Sequence, residues 1–152
     1  MRILDRLRPS FSARARLLDH LAVSAGKFEM LAADLKRHAE KCSYPNIKTG
    51  LERLAEVETA QALVLREMML EHEASPRPAD IPAHDGANNW ERLSSALALQ
   101  TALHRDLNLE IAEWDAIAPQ LAERLRRFAD EEENNIAKLR DLTLRCDPQA
   151  LD

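Results

Sequence analysis

The apolar residues of this chain step by alternating threes and fours through four long stretches, and little interrupts them. That spacing lays a stripe of side chains along one face of a helix and suits helices packed against one another. A first helix over 11–42 places Leu17, Leu21, Phe28, Leu31, Leu35 and Cys42 on its stripe. Pro45 suits the first turn of a second helix, which the spacing carries to residue 73 with Ile47, Leu51, Leu54, Glu58, Gln61, Leu65, Met68 and His72. A third helix over 89–115 aligns Leu93, Leu97, Gln100, His104, Leu107, Ile111 and Trp114. A fourth over 119–146 aligns Leu121, Leu125, Phe128, Glu132, Asn135, Leu139, Leu142 and Cys146. The expected fold class is therefore all-α, a four-helix bundle.

Composition agrees, with Ala, Leu, Glu and Arg dominant and only three glycines in 152 residues. This disfavours glycine-rich phosphate loops and turn-rich β folds. Aromatics at 4% and a net charge of -5 offer neither base-stacking platforms nor attraction to nucleic acid or anionic lipid. No run reaches the ~18 apolar residues of a membrane span. The start, MRILDRLRPSF, lacks the apolar core of a signal peptide, so residues 1–10 are expected to be an N-terminal arm. Two cysteines, Cys42 and Cys146, make no disulfide framework, which points to a reducing compartment and cytoplasmic localisation. They would pair only if the ends of helices one and four meet. His20, His38, His72 and His84 lack ligand spacing and read as surface residues, and no hydrolase motif is present.

The organisation is one domain over 11–148, with a hairpin over 11–73, a linker over 75–88 and a second hairpin over 89–146. The linker holds three prolines and a glycine. A helix of ~29 residues is ~44 Å long, and fourteen extended residues span at most ~46–50 Å. The linker can thus run the whole length of the bundle between two short hairpin turns, a long crossover between helices two and three.

The two hairpins are related. A shift of 74 residues superposes Pro45 on Pro119, Leu51 on Leu125, Arg53 on Arg127 and Ala55 on Ala129. It also superposes Glu58 on Glu132, Leu65 on Leu139, Arg66 on Arg140 and Leu70 on Leu144, with Gln61 falling on Asn135. Each half therefore sets a Glu, and three residues later an amide, where the stripe calls for leucine.

These stretches read LAEVETAQ (54–61) and FADEEENN (128–135), and with residues 25–61 they resemble rubrerythrins and the wider ferritin-like superfamily. The resemblance implies a ferritin-like bundle whose second and fourth helices carry Glu-x-x-His. With a Glu from each of the other two helices, that set holds two iron or manganese ions. Carried over, the second- and fourth-helix glutamates are Glu58 and Glu132, but Gln61 and Asn135 stand in place of both histidines. A gapless register puts the first-helix position at Ala25, beside Gly26, and the third-helix position at Leu99, beside Gln100.

Two of six implied ligands remain, which makes the site a vestigial di-metal centre. The expected site is then a polar cluster of Glu58, Gln61, Gln100, Glu132 and Asn135, with His104 lining the same core. At least one carboxyl in it should have a raised pKa through burial and like charge. The expected function is non-catalytic, with no cofactor, acting as a homo-oligomer or with a protein partner and with neither nucleic acid nor membrane. Trp114 is a candidate anchor for such a contact. The alternative is a divergent di-iron or manganese oxidoreductase or iron-handling protein that keeps Glu58 and Glu132 and recruits Glu29, His104 or a partner's residues.

Overall fold

A computed structural model of the chain describes residues 3–80 and 86–147, with side chains from residue 12 onward. Four helices follow one another: α1 (Ile3–Lys41), α2 (Pro45–Leu70), α3 (Asn89–Ile117) and α4 (Pro119–Arg145). No strand occurs among the described residues. The expected four-helix, all-α bundle is therefore the fold. The backbone from Ile3 continues α1, so residues 3–10 do not form the separate arm expected from their composition.

Local chemistry sets the boundaries. Pro45 and Pro119 open α2 and α4, where a missing N–H has no helical partner to lose. Asn88 caps α3 by accepting from the Glu91 N–H at 2.9 Å, while the Glu91 carboxylate accepts from the Ala87 N–H at 2.7 Å. α2 stops at Leu70 because Glu73 turns left-handed, with φ at 58°. The Ala74 N–H then reaches back to the Met69 carbonyl at 3.0 Å, closing a Schellman turn.

α1 packs against α2 and α3, and α4 packs against α3 and α2. The apolar interior falls into two clusters. One joins the N-terminal half of α1 (Leu17 to Phe28) to the C-terminal ends of α2 and α3 and the start of α4. The other joins the C-terminal half of α1 (Leu31 to Cys42) to the starts of α2 and α3 and the end of α4. α2 therefore ends where α1 begins, α3 starts where α1 ends, and the connection between α2 and α3 traverses the bundle. Cys42 lies in the second cluster with Cys146 packed against it, so the ends of α1 and α4 do meet; both are free thiols.

The crossover lies on α1. The Arg77 N–H donates to the Ala22 carbonyl at 2.9 Å, and the Arg77 guanidinium pairs with Asp19. Gly26 allows this approach: a Cβ there would sit 1.6 Å from the Arg77 carbonyl oxygen, so any side chain displaces the strap.

One expectation about the repeat is corrected. The 74-residue shift holds for α2 and α4, but α1 and α3 match at a shift of 72. Leu21, Phe28, Leu31, Leu35 and Ala39 then correspond to Leu93, Gln100, Leu103, Leu107 and Ile111, all of them buried. The spacing between matched levels differs by two residues: Glu58 follows Phe28 by 30 and Glu132 follows Gln100 by 32. The second connection is the shorter one, Ala118 alone against Cys42, Ser43 and Tyr44, so the added length lies in the helices themselves. The counterpart of Gln100 is thus Phe28, not Gly26, and Ala25 and Leu99 lose the equivalence that a gapless register gives them.

Candidate functional site

Between the two apolar clusters lies a polar layer. Glu58 on α2, Gln100 on α3, and Glu132 and Asn135 on α4 are all buried, each 2% exposed or less. They are inside because the 3–4 spacing of their helices leaves them nowhere else to point, each lying between leucines and alanines of the two clusters. α1 contributes no polar group at this level. Its member is Phe28, whose ring meets Phe128 edge-on, centroids 5.1 Å apart and planes at 82°.

With α1 apolar here, Gln100 serves both acids. Its Nε2 donates to Glu58 Oε1 and to Glu132 Oε2, the latter at 3.1 Å. Asn135 Nδ2 reaches Glu132 Oε1 at 3.5 Å, three residues along the same helix. Two buried atoms, Glu58 Oε2 and Gln100 Oε1, have no donor aimed at them.

A proton on Glu58 Oε2 resolves the first of these, since two ionised carboxylates cannot bond to each other. Burial, then the negative charge of Glu132, pushes the Glu58 carboxyl up to about 8. Glu132 is also raised by burial, but donors from Gln100, Glu58 and Asn135 favour its ionised form. Burial and like charge thus favour a proton retained on Glu58 at neutral pH, while the donors around Glu132 oppose its rise. A raised carboxyl was expected here, and both carboxyls are raised, with burial the first cause in each.

The other expected members lie elsewhere. Gln61 is only partly buried and donates to Glu131 at the surface between α2 and α4, so it leaves the cluster that its counterpart Asn135 joins. One extra methylene and a neighbouring acid are enough to draw it outward. His104 stands at the edge of the core, half-buried, its Nε2 3.0 Å from the Ala129 carbonyl oxygen, and acts on Glu132 only as a minor charge. Glu29 pairs with Arg66 at 2.6 Å on the surface and cannot supply a missing ligand. Trp114 is fully buried, so it is no free anchor, and His38, read as a surface residue, is 1% exposed. His84 lies outside the described residues.

Phe28 and the 72-residue shift were missed from the sequence. The signal that reveals them is the apolar stripe itself, with Leu21, Leu31 and Leu35 each 72 residues before Leu93, Leu103 and Leu107.

A third acid with a raised carboxyl, partly buried, lies apart from this layer. Glu110 on α3 is raised to about 7, chiefly by burial and then by Asp106 and Glu113, with Arg16 opposing. His20 Nδ1 on α1 stands 3.9 Å from its Oε1. Among the described residues, no three His, Cys, Asp or Glu side chains converge as a metal-holding group, and no helix is long and apolar enough to cross a membrane. No family model, curated protein or solved structure matches the chain.

Proposed function

We propose that this chain is a non-catalytic, ferritin-like helical module. In it the level of a former di-metal centre has become a proton-sharing carboxyl pair, and the molecule acts by associating with itself or with a protein partner. The observation that carries this reading is the single Gln100 amide donating to both Glu58 and Glu132. A cation between two carboxylates needs oxygen or imidazole lone pairs facing it. Here N–H protons face the acids instead, α1 offers the phenyl ring of Phe28, and Asn135 also turns its amide nitrogen toward Glu132. Two carboxylates would have to balance the four positive charges of a divalent pair. The residues present therefore do not fit an iron or manganese pair, and no reaction step runs through one.

The role supported is alignment. A polar layer satisfied only when Glu58, Gln100 and Glu132 stand at one height resists sliding of α2, α3 and α4, because any shift strands a buried polar group. Purified protein titrated anaerobically with Fe(II), and separately with Mn(II), tests the reading, followed by elemental analysis. We expect no stoichiometric uptake. Two ions bound per chain would overturn the non-metal reading in favour of a divergent oxidoreductase or iron-handling protein.

A further inference from the structure

The outward face of α2 carries a second stripe. Arg53, Val57, Ala60, Val64 and Glu67 follow at spacings of four, three, four and three, and all five are exposed. Val57 is 38% exposed, Val64 43%, and Leu63 beside them 54%. A 3–4 stripe is the pattern that seats a helix against another helix. α2 packs on α1 and α4, and this stripe runs along the outer lip of its groove with α4, where Arg53, Val57 and Val64 stay exposed beside Asp141, Lys138, Arg127 and Glu131.

The repeat supplies an internal comparison along the other lip of the same groove. The equivalent positions of α4 are Arg127, Glu131, Asn134, Lys138 and Asp141, all polar and all exposed. The ends of the two stripes agree in charge, but the three central positions of α2 have changed from polar to apolar.

Charge says what covers it. Arg53 and Glu67 lie seven residues to either side of Ala60, two helical turns each way. Among the described residues, neither takes part in an ion pair within the chain. A stripe with opposite charges at equal distances from its centre is complementary to itself when turned end for end. Nothing requires that of a surface meeting an unrelated partner.

We propose that this face of α2 is an isologous interface between two copies of the chain, with α2 antiparallel to its mate and the two-fold axis passing at Ala60. Arg53 then faces Glu67 of the partner subunit, and Val57 packs on Val64 of the partner subunit. The Ala60 methyl at the axis lets the two backbones approach closely. The parallel alternative stacks Arg53 on the partner's Arg53 and Glu67 on the partner's Glu67, so charge selects the antiparallel arrangement. One helix pair falls at the small end of specific interfaces, below about 1,200 Å², so the dimer is a reversible one. This interface rests on the reading that the chain works by association and gives that association a surface.

Sedimentation velocity over a concentration series reaching the millimolar range tests it, with thermal unfolding checking that every variant folds. The native chain should dimerise reversibly. Ala60→Arg and Arg53→Glu should each weaken the dimer roughly tenfold or more. The double variant Arg53→Glu/Glu67→Arg should return to native affinity, because it rebuilds both pairs with their signs exchanged. In a Cys42→Ser/Cys146→Ser background, Ala60→Cys should crosslink two copies under mild oxidation. A native chain that stays monomeric throughout would overturn both the interface and self-association. A dimer indifferent to Ala60→Arg, with no crosslink at that position, would overturn the interface alone. Neither result alters the metal titration, so the two readings fail separately.

Discussion

α2 and α4 descend from one pattern, and they differ where the molecule does something other than pack. Both start on a proline and put a glutamate at the same inward position. α4 then behaves as a helix with one buried side and one wet one. Asn135 turns inward to Glu132, and the outward row is charged. α2 sends Gln61 outward to Glu131 and carries an apolar row on its open side. The two glutamates differ too: burial and the charge of Glu132 push Glu58 up to about 8, while donors from Gln100, Glu58 and Asn135 oppose the rise at Glu132. A repeated sequence has therefore not produced a symmetric site. The asymmetry begins with Phe28 standing where α3 has Gln100, which leaves one amide for two acids.

The largest effect should come from removing the layer. A Glu58→Leu/Gln100→Leu/Glu132→Leu variant fuses the two apolar clusters and should gain about 1–4 kcal/mol in chemical denaturation. Gln100→Leu alone should lose about 1–3 kcal/mol or more, since both acids stay buried without their shared donor. Equal losses in the two variants would show that the layer does not act as a unit.

The paired acids should respond unequally to the same change. Glu58→Gln copies the protonated form and keeps a donor toward Glu132, whereas Glu132→Gln removes the charge that Gln100 and Asn135 address. The native chain holds a proton on Glu58 that the unfolded chain releases above pH 4.5. Stability should therefore fall as pH rises from about 4.5 through about 8 and level off above, a loss on the order of a few kcal/mol. Glu110, raised to about 7, adds a smaller loss of the same sign that ends sooner. Melting curves across this range should show a flattened profile for Glu58→Gln, with the Glu110 part remaining. Glu132→Gln should be the less stable variant at neutral pH. Matching profiles for the two variants would remove the distinction between the acids.

The first and third helices give a test in opposite senses. Ala98 is the 72-residue counterpart of Gly26, and it is exposed with nothing lying over it. Gly26→Ala should cost about 1–3 kcal/mol by lifting the crossover, although alanine is the better helix former. Ala98→Gly should cost up to about 1 kcal/mol through propensity alone. The smallest effect is at the helix ends. Glu73→Gly should stabilise by up to about 1 kcal/mol by relieving a left-handed glutamate. The same change at Asp147, whose φ is not positive, should not.

The sequence by itself determined the four helices, because 3–4 spacing, two helix-opening prolines and a capping asparagine act within a few residues of one another. It determined the crossover, since the linker length has few other solutions, and it determined that Glu58 and Glu132 point inward. Tertiary structure decided the rest. Whether Gln61 joins the acids depends on Glu131 across the groove, and whether Gly26 matters depends on a strap some fifty residues away in the chain. Which level of α1 matches Gln100 depends on the residues between paired levels in each hairpin, 30 from Phe28 to Glu58 and 32 from Gln100 to Glu132. Periodicity reports which side of a helix is buried. Only packing sets the height at which helices meet, and that height decides which buried groups become partners and which of two like acids keeps its proton.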